Sequence, residues 1–469
     1  MTSPSFRPTP ALIPLAVAFA LAVVIRVQWY GFQSGDYRAF FSQWYDFIRA
    51  NGGFSALRYR FADYNVPYLY LVALLTYLPV PVLAGIKTIS VLGDLLLIVF
   101  VYKLVALKYP RGLPAFAAAA VVGLLPSVVM NGAVWGQCDS IYTAFGLGGL
   151  YFALRSRPWL SGVFFGLALA FKLQIVFLLP VLLVLVLCRR VPWRALLAIP
   201  VVVVVLDVPA LLAGAGPAQL LSVYFDQVGE YSQLTLNAAN VYQLFDFSSH
   251  LAAVRDIAVL ITAELVAALV LYAVVTRARL TTTRVVLLGA VFAVLVPFCL
   301  PAMHERYFYL ADVLSVVAAF HLPRRLWPVP VLVQFASAFS YLPFLADPQA
   351  RQNTSEVVPF RLLALAMLAA LVLLVWQLIG RADLAFLHSP RGSAKHGIGT
   401  RRRRVPGRRS PTVRLKVGTV RLAHRVGRPS RAPSLATCKS PAAAAAAETF
   451  RSMRGGSAQY RRTTPQWPN

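Results

Sequence analysis

The sequence is poor in charged residues and in cysteine. Only 13% of its 469 residues are Asp, Glu, Lys or Arg, whereas 58% are hydrophobic, and no soluble globular domain of this size has that balance. The four cysteines, Cys138, Cys188, Cys299 and Cys438, have neither the CxxC spacing of a metal site nor the density of a disulfide scaffold. The composition therefore predicts an all-α polytopic membrane protein with free thiols.

Acidic residues are also scarce, and the basic residues are concentrated near the end of the chain. There are 17 acidic residues against 45 Lys and Arg, which gives a formal net charge of +28. After residue 380, Asp383 and Glu448 are the only acids among many arginines, and branched apolar residues are few. We therefore expect a transmembrane domain at 1–380 and a disordered, basic, cytoplasmic tail at 381–469. The tail is either passive or in contact with anionic lipid headgroups, and no nucleic-acid partner is expected.

No small-residue cleavage site follows the first apolar stretch, so we expect this stretch to remain as a membrane helix. A span needs about 20 apolar residues, and Lys and Arg concentrate in cytoplasmic loops. These rules predict about twelve transmembrane helices, cytoplasmic termini and a long first external loop at 30–83. The apolar segments lie at about 11–29, 84–107, 113–130, 140–154, 159–188, 195–213, 256–276, 283–300, 307–322, 326–345 and 359–379.

The segment 159–188 is the one stretch that disturbs the alternation of inside and outside loops. Arg157 precedes it and Arg189 and Arg190 follow it, so both of its ends carry the charge of cytoplasmic loops. We expect this segment to enter the membrane and return as two short helices that turn near Lys172. With that turn, the polar clusters of the chain all fall on the external side and form one polar surface.

The first external loop carries two candidate acids, Asp36 and Asp63. RAFFSQWYDFIRA, at 38–50, has apolar residues at helical spacing and predicts an amphipathic helix on the membrane surface. VPYLYLVALLTYLPVP, at 66–81, is too short for a span and predicts an interfacial or re-entrant helix. Asp36 is a candidate general base. A helix cap or a turn is the alternative explanation for both carboxylates.

Three basic residues on the external side are candidates for binding an anion. A lysine in the middle of an apolar stretch is costly unless it reaches water or a partner, so Lys172 requires an anion. His304 and Arg306 lie between two apolar runs and make the same demand. Phosphate has the geometry that suits Arg and Lys together. We predict a phosphate site here, with Glu305 orienting Arg306; a charge cluster that only ends a helix is the alternative.

Further polar residues lie at the ends of apolar segments or within them. Trp135, Gln137 and Asp139 lie where a span emerges, and an interfacial aromatic with a helix cap is as good an explanation as a binding site. We see no paired acidic motif that requires a metal, and we expect neither a metal nor another cofactor. Three carboxylates within spans are interpreted as packing contacts between helices: Asp94, Asp207 and Glu264.

Several stretches resemble the motifs of one enzyme family. They are GDYRAFFSQWYDFI, ADYNVPYLYL, NGAVWGQCDSIYTAF, FGLALAFKLQIVFLLP and PAMHERYFYLADV. In this order they resemble bacterial membrane mannosyltransferases related to the enzyme that adds the second mannose in GPI-anchor assembly. More distantly they resemble the dolichyl-phosphate-glucose glucosyltransferases of N-glycan precursor synthesis. The resemblance covers roughly residues 30–320 and implies a GT-C-like fold in a bacterial plasma membrane.

The resemblance also implies an activity. A sugar, with mannose as the first expectation, would pass with inversion from a polyprenyl-phosphate donor to a glycan or lipid acceptor at the external face. Asp36 would take the proton of the acceptor hydroxyl, and Lys172, His304 and Arg306 would hold the donor phosphate. The supporting residues would be Glu305 and Gln174, and those that bind sugar and acceptor would be Asp63, Tyr64, Trp135, Gln137 and Asp139.

One departure and one alternative remain open. Asn65 and Val66 stand where the glucosyltransferase pattern has prolines, which leaves the sugar and the acceptor undecided. The alternative class is a transporter or flippase of lipid-linked saccharides, which predicts inverted repeats and ionisable residues at the membrane midplane. The enzyme hypothesis requires Asp36 to lie close to Lys172 and Arg306.

Overall fold

The computed structural model describes residues 12–110, 112–229, 231–247, 251–345 and 358–387. Over these ranges the fold is almost entirely helical, as the composition predicts. The α-helices are α1 (Leu12–Gln28), α2 (Ser42–Ala50), α3 (Val66–Leu75), α4 (Val82–Ala106), α5 (Leu113–Leu124), α6 (Pro126–Val129), α7 (Asp139–Leu154), α8 (Pro158–Phe171), α9 (Leu179–Leu187), α10 (Ala198–Leu212), α11 (Pro217–Gly229), α12 (Leu251–Val275), α13 (Thr282–Cys299), α14 (Tyr309–His321), α15 (Pro323–Leu326), α16 (Pro328–Leu345) and α17 (Phe360–Leu387).

Short elements of other kinds connect these helices. Two are π-helical turns, at Tyr37–Phe41 and Met130–Trp135. The 3₁₀ helices are Gly53–Arg58, Leu173–Leu178, Trp193–Leu197, Val241–Gln243, Arg277–Arg279 and Glu305–Phe308. Two short strands, β1 (Thr235–Leu236) and β2 (Met303–His304), pair in parallel, with Leu236 opposite His304.

Six helices in the described part of the chain are long and apolar enough to cross a membrane. They are Val82–Ala106, Trp193–Leu212, Leu251–Val275, Thr282–Cys299, Pro328–Leu345 and Phe360–Gly380. A seventh span forms if the pair Leu113–Leu124 and Pro126–Trp135, which is bent by 52°, counts as one. The protein is therefore an integral membrane protein with several spans.

The predicted number of about twelve spans is not confirmed. The described ranges also contain shorter apolar helices of 10–17 residues, namely Val17–Gln28, Val66–Leu75, Pro158–Phe171 and Leu173–Leu187; the segments 66–81 and 159–188 were expected to form such short helices. A helix rises 1.5 Å per residue, so these helices are shorter than the apolar core of a bilayer. The count of twelve and the cytoplasmic position of the termini stay predictions.

The chain turns back at Lys172, as the basic residues at both ends of this segment predict. Helix α8 ends at Phe171, and Lys172 has an extended backbone with φ of −158° and ψ of 134°. A Cβ atom on Gly162 would contact the carbonyl of Ala195, and one on Gly166 would contact Ile199. Helices α8 and α10 therefore run in the same direction, which requires the chain between them to return.

The first long loop folds against the protein. Helix α2 buries Trp44, Tyr45 and Ile48, and the ring centroid of Trp44 lies 5.2 Å from that of Tyr64. The predicted amphipathic helix is present, but its apolar face packs on protein, whereas the sequence predicted a helix on the membrane surface. The 10-residue helix α3 has the short length that the sequence predicted.

Helix α4 separates the two ends of the molecule. At its carboxyl end, Lys108 Nζ donates a hydrogen bond to the carbonyl of His321, so two of the predicted cytoplasmic loops meet there. At its amino end, Lys87 donates to the carbonyl of Phe32. Within the bundle, Asp94 and Arg26 form an ion pair, with 2.9 Å between Asp94 Oδ2 and Arg26 Nη2. This pair joins α1 to α4, as expected for a packing contact.

The end of the described chain extends past the predicted domain boundary. Helix α17 reaches Leu387, and Gly380 interrupts its helical geometry with φ of 55° and ψ of 149°. Glycine adopts this left-handed region without the steric clash that a Cβ atom would cause. The rest of the predicted basic tail, from residue 388 onward, lies outside the described residues.

Candidate functional site

A cavity at the amino end of α4 brings together the three predicted phosphate ligands. Its volume is about 90 Å³. Lys172, His304 and Arg306 all line it, although Lys172 lies more than 130 positions before the other two along the chain. The described lining is completed by Asp63, Tyr64, Asn65, Phe171, Gln174, Gln227, Tyr231 and Tyr307.

Lys172 already has an anionic partner inside the protein. Its Nζ forms an ion pair with Asp139 Oδ1, and the two side chains are 8% and 1% exposed. Asn131 Nδ2 donates a 2.7 Å hydrogen bond to the other oxygen of Asp139. Asp139 is the first residue of α7, where the helix dipole also favours a negative charge. The anion that the sequence predicts for Lys172 is thus Asp139. Asp139 is not among the described residues that line the cavity.

Arg306 lies between two carboxylates. Its Nη1 is 3.2 Å from Glu305 Oε1 and 3.8 Å from Asp36 Oδ2, and the guanidinium carbon lies 5.6 Å from the ring centroid of Trp135. Burial disfavours the charged guanidinium, but Glu305 and then Asp36 outweigh this effect and raise the pKa of Arg306 well above its ordinary value. Glu305 orients Arg306, as the sequence predicts.

Asp36 joins the site through a chain of hydrogen bonds. Gln137 Nε2 donates a 2.6 Å hydrogen bond to Asp36 Oδ2, and Tyr64 Oη donates a 2.9 Å hydrogen bond to Gln137 Oε1. Both contacts that hold Asp36, from Gln137 and from Arg306, end on Oδ2. The side chain of Asp36 is 23% exposed. Asp36 therefore lies beside Arg306, one of the two cations that the enzyme hypothesis places near it, and its role as the base stays a prediction.

His304 is fixed by backbone pairing. Strand β2 places it opposite Leu236, and an isolated bridge joins it to Asn237. Its Nδ1 lies 3.4 Å from Glu305 Oε2, while its buried Nε2 has no hydrogen-bond partner among the described residues. The ring of Tyr231 packs edge-on against it with centroids 4.8 Å apart. A buried nitrogen without a partner is costly, so Nε2 is a natural contact for a ligand in the cavity.

Asp63 and Gln174 both line the cavity, as the sequence predicts. The carbonyl of Asp63 accepts a 3.0 Å hydrogen bond from Gln227 Nε2, and its side chain is exposed. Gln174 follows Lys172 on the returning segment and is buried, and its Oε1 accepts no hydrogen bond from a described residue. These two side chains leave polar groups available beside the cations.

Trp135 occupies a different place from the one predicted for it. The sequence assigned it to sugar binding, but only 1% of it is exposed and its ring packs against Tyr341 and Phe344. Arg306 covers its face. Trp135 therefore packs against Arg306 from inside the bundle, because the π-helical turn that carries Trp135 is buried there.

Several residues at the site were not identified from the sequence. Asn131 holds Asp139, and Gln227 and Tyr307 line the cavity. Asn131 lies in the same sequence motif as Asp139, NGAVWGQCDSIYTAF, so its closeness to Asp139 along the chain was a usable signal. Gln227 lies in the last turn of α11 and carries no comparable signal. Among the described residues, no group of three His, Cys, Asp or Glu side chains is placed to hold a metal ion.

Comparison with known protein families gives a match over the middle of the chain. The profile of glycosyltransferase family 87 matches residues 61–302, which is just over half of the chain. This segment includes Lys172 and Asp139, begins after Asp36 and ends just before His304. No curated protein matches the chain. The narrower likeness to the second mannosyltransferase of GPI-anchor assembly gains no support from this match. The chain belongs to glycosyltransferase family 87.

Proposed function

We propose that this membrane glycosyltransferase moves a sugar, with mannose as the first candidate, from a polyprenyl-phosphate donor to a hydroxyl of a glycan or lipid acceptor at the external face of the membrane. The observation that carries the proposal is the single cavity lined by Lys172, His304 and Arg306, with Asp36 3.8 Å from Arg306. Membership of a transferase family does not favour the alternative of a transporter or flippase.

The basic residues suit a phosphate that becomes a leaving group. When the bond between the anomeric carbon and the phosphate oxygen breaks, the electron pair stays on that oxygen and the phosphate gains negative charge. Fixed donors in a partly dry cavity stabilise this growing charge more than the bound ground state. Arg306 supplies a planar fork, Lys172 a point charge, and the unpartnered Nε2 of His304 a further polar contact.

Asp36 is the candidate base for the acceptor. The acceptor oxygen forms the new bond to the anomeric carbon on the face opposite the phosphate, and its proton passes to the carboxylate of Asp36. The hydrogen bonds from Gln137 and the contact with Arg306 both end on Oδ2, which leaves Oδ1 to face the acceptor. Displacement from the opposite face inverts the configuration at the anomeric carbon.

Residues on the first loop suit the sugar and the acceptor. Asp63 and Tyr64 line the same cavity as the cations, with Lys172 Nζ 5.5 Å from the ring centroid of Tyr64, and Gln137 links Tyr64 to Asp36. Carboxylates, amides and hydroxyls of this kind bind sugar hydroxyls. Asp139, which was also assigned to sugar binding, is committed to Lys172.

A neighbouring cavity supports a donor that carries a lipid. It has a volume of about 250 Å³ and shares Gln174, Gln227, Tyr231 and Tyr307 with the cavity of the basic residues. Most of its remaining lining is apolar, with side chains such as Leu173, Val176, Phe177, Val259, Leu300 and Met303. An apolar space that continues from a phosphate site suits a prenyl chain.

The test is turnover by the purified protein in lipid nanodiscs. The protein is incubated with acceptor lipids and either polyprenyl-phosphate mannose or GDP-mannose, both labelled in the sugar. We expect transfer of label from the polyprenyl-phosphate donor and none from the nucleotide donor. Transfer from GDP-mannose alone would overturn the assignment of the donor. Transfer from polyprenyl-phosphate glucose but not from polyprenyl-phosphate mannose would change the sugar and keep the donor class.

A further inference from the structure

Lys87 is a buried cation that the proposed mechanism does not use. It lies in the first half of α4 and is only 1% exposed. It forms no ion pair with any residue that the structure describes. A buried ammonium without a carboxylate is expensive, so its contacts need an explanation.

The ammonium of Lys87 binds the turn that leads to Asp36. Its Nζ donates to the carbonyl oxygens of Trp29 and, at 2.6 Å, of Phe32. This turn follows the last residue of α1, and Phe32 N donates a 3.1 Å hydrogen bond to the same carbonyl of Trp29. A cation beside the carboxyl end of a helix is also favoured by the helix dipole. Lys87 thus fixes the start of the segment that ends at Asp36.

A second contact fixes the same segment two residues before Asp36. Ser34 Oγ donates a 2.8 Å hydrogen bond to the carbonyl of Trp135 and accepts one from the backbone N–H of Tyr37 at 3.2 Å. Trp135 lies two positions before Gln137, which donates to Asp36. The segment 29–36 is therefore anchored at one end by Lys87 and at the other by the 135–137 turn.

The stem of Lys87 contacts that second turn as well. Gly136 has φ of +82°, and a Cβ atom there would lie 3.9 Å from Lys87 Cγ. The glycine allows the left-handed turn, and its lack of a side chain leaves room for the lysine stem. Lys87 therefore binds the turn that leads to Asp36 and lies next to the turn that carries Gln137.

We infer that Lys87 is a positioning residue for Asp36: by holding the 29–32 turn against the 135–137 turn, it sets the distance between the base and the acceptor hydroxyl. This inference rests on the proposed role of Asp36. A misplacement of about 1 Å costs about 10²-fold in rate. The hydrogen bonds that the structure describes for Lys87 go to Trp29 and Phe32 and not to the cavity, so we expect its loss to affect the chemical step more than the binding of the donor.

The test is a double-mutant cycle of Lys87→Met and Asp36→Asn, measured as kcat and as KM for polyprenyl-phosphate mannose in nanodiscs. We expect Lys87→Met to lower kcat by about 10–10²-fold with KM changed less than about threefold, and Lys87→Arg to recover most of kcat. In the Asp36→Asn background, Lys87→Met should cause no further loss, because the two residues act through one group.

The matched control removes a buried ion pair that joins α1 to α4. Arg26 and Asp94 join α1 to α4 two turns from Lys87, so Arg26→Met combined with Asp94→Leu should leave kcat near the unaltered value. If Lys87→Met does not fold, Lys87→Gln, which keeps one donor, enters the cycle in its place.

Three outcomes would overturn the inference. Unchanged kcat in a folded Lys87 variant, or losses that multiply in the double variant, would remove Lys87 from the positioning of Asp36 while leaving the proposed function intact. Normal turnover by Asp36→Asn alone would overturn the base assignment and this inference together. The single Asp36 variant therefore distinguishes the two failures.

Discussion

The two strong cations of the cavity are held in different ways. Lys172 and its partner Asp139 are both buried, and both lie within the segment that matches the family profile. Arg306 lies outside that segment and contacts Glu305, which is fully buried, and Asp36, which is 23% exposed. One cation is locked in a closed pair, whereas the other shares a carboxylate that reaches solvent.

This difference predicts which cation moves when a donor binds. If Lys172 left Asp139, a carboxylate would remain buried with only Asn131 as a partner, and an unpaired buried charge is strongly unfavourable. If Arg306 left Asp36, the carboxylate would still have Gln137 and access to water. We therefore expect Arg306 to turn toward the phosphate while Lys172 stays in place, and the exchange would release Asp36 to accept a proton.

The largest effect on turnover is expected at Asp36, the carboxylate that contacts Arg306 and is also the candidate base. Asp36→Asn removes the proton acceptor but keeps the hydrogen-bonding shape, and we expect turnover to fall by about 10³–10⁴-fold. Asp46→Asn, at an exposed position on the neighbouring helix α2, is the control and should change turnover little. The measurement is transfer of labelled sugar in nanodiscs. An Asp36→Asn variant as active as the control would show that Asp36, the part-exposed carboxylate that contacts Arg306, has no catalytic role.

A smaller effect is expected at the shared cation. Arg306→Lys keeps the charge but loses the planar guanidinium, whose Nη1 lies near both Glu305 and Asp36 and whose other N–H groups can turn to the phosphate, and we expect kcat/KM for the donor to fall by about 10²-fold. Arg60→Lys is the matched control, because Arg60 pairs with Asp226 at a half-exposed surface position.

Full activity of Arg306→Lys would remove the distinction between the two cations. Both would then act as simple point charges, and the planar shape of the Arg306 guanidinium would be irrelevant to the reaction.

The smallest effect on activity is expected at the closed pair, where stability responds more strongly. Lys172→Met leaves Asp139 buried without its cation and should lower the free energy of unfolding by about 3–5 kcal/mol. Lys172→Met combined with Asp139→Asn should regain most of this loss, and kcat/KM should remain about tenfold reduced because one contact to the phosphate is missing.

The measurement is the midpoint temperature of thermal unfolding beside the transfer assay. Equal stability of the single and the double variant would mean that the pair is not a closed unit, contrary to the comparison.

The sequence predicted the convergence of distant polar residues because basic loops record which side of the membrane each loop faces. The turn at Lys172 follows from Arg157 and Arg189 alone, and the structure confirms it. The length of α3 followed equally directly from its bounding prolines. These features depend on local composition, and local composition is what a single sequence reports.

Pairings across the bundle could not be predicted in the same way. Lys172 was expected to require an anion, yet nothing in the sequence indicated that Asp139 supplies it, because the contact depends on how α7 and α8 pack. Lys87 met the same criterion, a lysine in a long apolar stretch, and that signal was available but unused. The number of spans was also beyond the sequence, since short helices inside the bundle are as apolar as true spans.

The two-residue ladder of β1 and β2 has a consequence for insertions and deletions. The backbone partner of His304 is Leu236, and helices α12 and α13 lie in the stretch of chain between them. Alternate residues of a strand face opposite sides. A slip of one position would therefore put Met303 or Glu305 opposite Leu236, in the position that His304 now occupies. Changes of length within the α12–α13 excursion should therefore be tolerated only when this register survives.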